Sequence, residues 1–533
     1  MPMTGHSSLR FPAGALRLLH LATLVGGCFG SALADVRLPS LFGDGMVLQR
    51  DEPVNLRGWA DPGEEVVVRI GGNEAGTARG GDDRSWSVTL PGFPAGPVPE
   101  IKISGRNEIV LKDVLAGDVW VCSGQSNMEM SLARAEDGPA EAAKADHPQI
   151  RLFRVNVLGK ASGKQPGTDC RGKWAACSPE SVKNFSAAAY YFGRDLHRET
   201  GVPIGLVLAA VGGTPAENWT PAAALKADPP LDLFRAYQQE YEFRLNYHQT
   251  YLKGWEKEAA TARTEGRPEP RKNPAPKKWE EVEPRFSSLY NNLIHPITPQ
   301  AVKGVFWYQG ETNAQRAYQY RPLLARLITS WRSAWQKEDL PFVIAQLPNF
   351  QADRIIPGSW AELREAQARV AREVPHCALA VLIDTAVPSE ELHPVNKRDV
   401  GKRAALAALK TAYKRDVVSS GPTFAGAAFH DGAATVEFQN IGDGLQAAAG
   451  EKISGFFLAG EDRRFHPAEA VVEGGRITVR SGLVPSPVAV RYAWADSPIC
   501  DLYNKNGLPA APFRSDDWPG PTEERGMRNP SGE

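Results

Sequence analysis

The sequence predicts an α/β fold, a parallel sheet covered by helices, with flanking β-sandwich-like domains. Two observations carry the architecture. Between residues 113 and 415, short apolar runs alternate with stretches of helical spacing, as strands joined by crossover helices do. On either side, short alternating runs are punctuated by Gly, Pro and Asp turns, as in small antiparallel sheets. A third observation places the chemistry. Most apolar runs of the middle segment stop at a small or polar cluster, and parallel sheets bind ligands beyond the carboxyl ends of their strands.

Residues 1–34 read as an export signal. Arg10 and Arg17 precede or enter an apolar core over 18–29, and Ala32-Leu33-Ala34 supplies a small-residue cleavage site. The mature chain then begins near Asp35 and is exported, to the periplasm or beyond. Val25-Gly26-Gly27-Cys28 offers a competing reading, lipid attachment at Cys28. No later stretch approaches the roughly 20 apolar residues that span a bilayer. Residues 35–112 form an N-terminal β domain: 54–59 alternates, Asp61-Pro62-Gly63 turns, and 66–70 and 85–90 are further runs. Such a domain suits carbohydrate binding or simple packing.

In the α/β segment, 119–122 is a buried strand that breaks at Gly124, just before Ser126. A helix over 186–199 shows Ala188, Tyr191, Phe192 and Leu196 on one face, and the apolar run 202–211 ends at Gly212-Gly213. Residues 222–284 are an insertion: a charged, aromatic helical piece (234–263), then a loose, solvated Pro/Lys stretch (267–278) offset by Glu280, Glu281 and Glu283. A strand over 301–308 ends in Gln309-Gly310-Glu311-Thr312-Asn313. There follow a helix (320–335), a strand (342–347), a helix (361–374), a strand (378–383) ending at Asp384, and a helix (400–413). Short β runs return in a C-terminal β domain over 416–520, and 521–533 is a tail.

Charge is balanced, 61 basic against 62 acidic side chains, so the totals carry no footprint of nucleic acid or an anionic membrane. A neutral substrate, or one held by local charges, fits better. The 13 Trp suit surfaces that stack on sugars, although a buried Trp is the commoner case. Cys170 and Cys177 sit close in a polar loop and could pair in an oxidising compartment, whereas Cys122 and Cys377 read as buried thiols. No cysteine spacing resembles a zinc site, and neither metal nor cofactor is expected.

Ser126 is a candidate nucleophile, held at the end of a strand; an ordinary strand-to-helix turn would use the same small residues. Ester hydrolysis by serine also needs an imidazole, a group that orients it, and donors for the oxyanion. His6 and His20 fall in the signal, His147 and His248 in polar or inserted segments, His197 on a helix face, His376 before a strand, and His430 and His466 in the β domain. His393 remains, in the acidic loop Ser389-Glu390-Glu391-Leu392-His393-Pro394, with His295 as runner-up. Glu390, Glu391 and Asp384 are the acids that could orient it.

These residues belong to a wider set. Gly117-Asp118-Val119-Trp120 leads into Gly124-Gln125-Ser126-Asn127-Met128; then come residues 185–192, Gly212-Gly213-Thr214-Pro215-Ala216-Glu217, Leu289-Tyr290-Asn291-Asn292, residues 307–313, and His393-Pro394 with Lys397 and Gly401-Lys402-Arg403. Residues 46–50, 491–494 and 507–510 extend the likeness to the flanks. The ordered set resembles the sialate O-acetylesterases and related acetylesterases of the SGNH hydrolases. The resemblance implies Ser126 as nucleophile and His393 as general base. It also implies an oxyanion site made by the Ser126 and Gly213 backbone N–H groups and the Asn313 amide. Gln125, Gln309 and Glu311, within the matching blocks, are expected to bind substrate. Two departures stand out: Gly-Gln-Ser-Asn replaces the general Gly-Asp-Ser-Leu, and Glu390 stands where an Asp is customary three before the histidine. Glu390 and Glu391 therefore both remain candidates for the orienting acid. The expected function is removal of O-acetyl groups from sugars, sialic acid first and acetylated xylan or other hemicellulose second. A carbohydrate-binding protein on an inactive hydrolase fold is the alternative of another class.

Overall fold

Leu115–Gly124 (β1) is buried along all ten residues, and the sheet is built around it. The computed structural model describes residues 35–156, 163–227, 231–351, 356–386, 391–448 and 453–523. The expected export signal with Cys28, and Glu390 of the histidine loop, lie outside the described residues.

Six further strands complete the main path of the sheet: His147–Arg154 (β2), Trp174–Cys177 (β3), Ile204–Ala210 (β4), Gly304–Tyr308 (β5), Phe342–Ala345 (β6) and Cys377–Ala380 (β7). Their order is β3-β2-β4-β1-β5-β6-β7. Every neighbouring pair is parallel except β2 with β3 at one edge. Strands such as β4 and β5 are almost wholly apolar because both faces of a parallel sheet are covered. The cover includes Ala187–Thr200 (α2), Ala317–Ala334 (α4), Ser359–Glu373 (α5) and Lys397–Thr411 (α6), with α2 packed on α6 and α4 on α5. The α2–α6 contact is close: a Cβ on Gly401 would lie 2.4 Å from Tyr191 Cβ.

The predicted strands and helices of this segment are present, shifted by a few residues at their ends. β2 and β3 were not expected. β2 carries Arg151, buried at 5% exposure, whose guanidinium makes two bonds of 2.6 and 2.9 Å to Asp113. A buried, paired arginine breaks the apolar signature that marks the other strands.

The insertion forms one long helix, Leu233–Thr264 (α3). The returning Pro/Lys stretch is exposed but not loose: Trp255 Nε1 donates to the Pro270 carbonyl at 2.8 Å, Asn273 N–H to Tyr251 Oη at 3.0 Å, and Tyr237 Oη to the Lys277 carbonyl. Aromatic side chains of α3 thus supply the polar atoms that tie the return down.

On the N-terminal side, a four-stranded antiparallel sheet (65–70, 73–79, 101–104 and 108–111) lies with the pair 54–59 and 85–90. Val47–Gln49 and Gly96–Pro97 join the central sheet by pairing with the first part of β1. Val66, Val68 and Trp86 share a single apolar core with Trp120 and Phe306 of the central sheet. The C-terminal sheets, over 423–480 and 456–514, enclose a second core around Val436, Ile477 and Tyr492, which Val381 and Ile383 enter from the end of β7. Trp120, Trp219, Trp307 and Trp331 are fully buried and serve packing, not sugar stacking. Cys170 and Cys177 are not joined; both are buried thiols that burial pushes up to about 12. Among the described residues no helix is long and apolar enough to cross a membrane.

Candidate active site

β4, β1 and β5 end level with one another, Gly124 lying opposite both Ala210 and Tyr308. Three chain segments therefore leave the sheet at one place. At Gly124 the backbone has φ +144°, and a Cβ would fall 2.0 Å from the Tyr308 carbonyl oxygen, so only glycine fits. The chain then turns into the short helix Ser126–Glu129 (α1), which presents Ser126 at its first position.

His393 reaches this serine from the segment between β7 and α6. Its Nε2 lies 2.8 Å from Ser126 Oγ, the distance of a hydrogen bond from the hydroxyl to a neutral imidazole. Partial burial, followed by the charges of Lys397 and Arg134, holds the imidazole below its ordinary pKa, while Glu391 acts in the opposite direction. The environment favours the neutral, proton-accepting ring.

The expected oxyanion donors lie on the three segments that leave the sheet at this place, Gly213 after β4 and Asn313 after β5. Among the described residues neither the Ser126 N–H nor the Gly213 N–H has a hydrogen-bond acceptor. Gly213 is exposed at φ +67° on the turn after β4, a backbone conformation that favours glycine. Asn313 is buried, and its amide orientation is fixed. Oδ1 accepts from Ala216 N at 2.9 Å and Gln309 Nε2 at 2.8 Å, and Nδ2 donates to Glu217 at 3.0 Å. One of the two Nδ2 hydrogens is thereby used, and the second is left for another acceptor. Glu217 is in turn held by Arg316, whose guanidinium also takes Glu240 of α3; all three are buried.

The three residues expected to bind substrate all make hydrogen bonds within the protein. Gln125 and Gln309 are buried at 2% and 0% exposure and bonded to one another at 3.2 Å. Gln125 Oε1 also accepts from Thr312, and Gln309 bonds the Thr214 carbonyl, Asn313 and Tyr320. Both brace the segments that carry Asn313 and Gly213. Glu311 turns inward, accepting from Asn127 Nδ2 at 2.6 Å. Asp384 is committed elsewhere, paired with Arg403 and accepting from Tyr503 Oη at 2.9 Å. His295 Nδ1 lies 2.9 Å from the Gly167 carbonyl, a packing role. Glu391 is exposed on the histidine segment.

A cleft of about 390 Å³ opens at Ser126 and His393, and Glu129, Arg134, Arg154 and Asn184 also line it. The arginines were missed in the sequence, Arg154 because it ends the unrecognised β2. A larger groove of about 590 Å³ between α4 and α5 does not include Ser126, so chemistry rather than size marks the site. Among the described residues no group of three His, Cys, Asp or Glu side chains is arranged to hold a metal ion.

The family described as carbohydrate esterase, sialic acid-specific acetylesterase, matches residues 116–244 and 275–410. A solved carbohydrate acetylesterase from Xanthomonas citri is 37% identical, with 91% of this chain and 100% of that one covered and a TM-score of 0.76. The chain belongs to this carbohydrate esterase family. Sialate O-acetylesterase of Rattus norvegicus is 29% identical over 452 residues, 77% of this chain and 79% of the relative. That of Homo sapiens is 26% identical over 427 residues, 74% of each. The family match contains Ser126, Gly213, Asn313 and His393 and does not cover 245–274, which hold the later part of α3.

Proposed function

We propose that this carbohydrate esterase removes O-acetyl groups from sugars by serine chemistry, with Ser126 as nucleophile and His393 as general base. The 2.8 Å contact between His393 Nε2 and Ser126 Oγ carries the reading. Ser126 Oγ attacks the acetyl carbonyl carbon as its proton passes to Nε2. The oxyanion is held by the Ser126 and Gly213 N–H groups and the second N–H of Asn313. Collapse gives acetyl-Ser126, and His393 returns the proton to the departing sugar oxygen; water activated by His393 then releases acetate. Glu391 is the orienting acid this reading favours among the described residues, because its charge acts on His393 while Asp384 is engaged by Arg403. Residues 1–34 support export.

Sialic acid remains the first substrate and acetylated xylan the second. Arg134 and Arg154 line the cleft, and among the described residues neither has a carboxylate within ion-pair distance. Glu129 offsets part of their charge. Guanidinium groups are suited to a sugar carboxylate, which xylan lacks at its acetylated xylose units. Ser126→Ala should abolish hydrolysis of a small acetyl ester and labelling by a fluorophosphonate; a wild-type rate would sink the serine reading and favour a binding protein. Arg154→Gln should raise KM for an acetylated sialoside by about ten-fold, the loss of one charge-assisted bond, and leave a neutral acetyl ester unaffected. Equal effects on both would return xylan to the lead.

A further inference from the structure

Asn127 follows the serine and is fully buried. Each polar position of its amide is used. Oδ1 accepts from Lys397 Nζ at 2.6 Å; Nδ2 donates to Glu311 Oε1 at 2.6 Å and to the Leu392 carbonyl at 3.1 Å. Lys397 begins α6 at 1% exposure, with its ammonium 5.4 Å from the centre of the Tyr308 ring. Glu311 Oε2 is buried and has no hydrogen-bond partner among the described residues. Two ionisable side chains buried behind the serine thus meet at one amide, not at one another.

The arrangement has a direction. Burial disfavours both charges, driving the Lys397 ammonium down to about 7 and the Glu311 carboxyl up, while each pulls the other back. The Leu392 carbonyl can only accept, so the amide has one orientation, with an N–H aimed at the residue before His393 and Oδ1 left to Lys397. The segment Glu391–Asn396 has no regular secondary structure; Glu136 N–H holds it at the Val395 carbonyl at 2.9 Å, and the Asn127–Leu392 bond ties the residue before the histidine to the helix that bears the serine.

We infer that Asn127, Glu311 and Lys397 form a buried clamp that holds the His393 segment in reach of Ser126, making them positioning residues for the esterase reaction. The clamp rests on the Ser126–His393 reading above. It acts on the chemical step, because none of the three lines the cleft. A displacement of about 1 Å in a reacting group lowers turnover on the order of 100-fold.

Asn127→Asp keeps the side-chain volume but removes the donor to Leu392 and sets a second acid beside Glu311. With p-nitrophenyl acetate its kcat should fall about 100-fold with KM within about two-fold, and fluorophosphonate labelling of Ser126 should slow in parallel. A folded Asn127→Asp with kcat within about three-fold of wild type overturns the clamp. Should that variant fail to fold, Glu311→Gln/Lys397→Met decides, since it leaves no buried charge unpaired. At least a ten-fold loss of kcat at unchanged KM supports the clamp, and a smaller loss, or a change confined to KM, overturns it. Ser126→Ala serves as reference: if it stays active, the reading of Ser126 fails and the clamp has no reaction to serve.

Discussion

At the scale of single residues the geometry makes two quantitative demands. Asn313 is locked by Ala216, Gln309 and Glu217, so in the proposed role of oxyanion donor it would cost no reorganisation as charge develops. Asn313→Ala should lower kcat roughly 100- to 1,000-fold in a folded protein, and a change of only a few-fold, measured with p-nitrophenyl acetate, would reassign the amide to packing. The second demand concerns pH. His393 must be neutral to accept the serine proton, and its surroundings lower its pKa from the ordinary value of about 6.5. A lowered pKa keeps the ring deprotonated to more acidic pH, so the rising limb of kcat/KM should lie below about 6.5, with a plateau through neutrality. A limb centred above 7 would contradict this. The Ser126–His393 contact could be anticipated because few residue types can be nucleophile or base, Ser126 followed a strand end, and His393 lay in an acidic loop after another strand. Gln125, Gln309 and Glu311 could not be oriented from the sequence, because a polar side chain in a motif says nothing of which way it faces; Gln125 and Gln309 are buried against one another, and Glu311 accepts from Asn127.

At the scale of elements, the histidine is held by a segment and not by a strand or helix, and the acids around it have separable tasks. Asp384 ties the end of β7 to Arg403 of α6 and to Tyr503 of the C-terminal sheets. Breaking a partly buried, doubly hydrogen-bonded pair of this kind costs on the order of 2 kcal/mol. Asp384→Asn should therefore lower the denaturation midpoint while kcat of the folded fraction stays near wild type. Glu391→Gln should do the reverse, lowering kcat at constant stability. If Asp384→Asn abolishes turnover in a stable protein, the orienting acid is Asp384. The parallel strands could be read from their apolar runs, and the helices from their spacing. β2 could not, since its identity rests on Arg151 finding Asp113 38 residues earlier in the chain, a contact that local pattern does not record. The return from α3 reads as loose in sequence because prolines and lysines lack apolar periodicity; what holds it is a series of single hydrogen bonds to aromatic side chains.

At the scale of the molecule, the sequence suggested three domains in a row, the first extending over 35–112. We propose instead that the first and second fold as one cooperative unit. Val47–Gln49 is itself a strand beside β1, and Gln49 and Arg50 both bond the buried Asp118. Trp174 of β3 donates to the Leu41 carbonyl at 2.8 Å, and Gln300 to that of Val47 at 3.0 Å. Val47, Val66, Val68, Trp86, Ile101 and Ile103 lie in the same apolar cluster as Trp120 and Val121. A chain that starts at Asp113 would leave the first part of β1 without Val47–Gln49 and Gly96–Pro97 beside it, and the buried Asp118 without Gln49 and Arg50. It should lose its near-ultraviolet circular dichroism, bind a hydrophobic dye, and fail to react with a fluorophosphonate at Ser126, which stands at the far end of the same strand. If that chain melts cooperatively close to the full-length midpoint and Ser126 is still labelled, the N-terminal sheets are a separable domain and the unity argued from β1 is wrong.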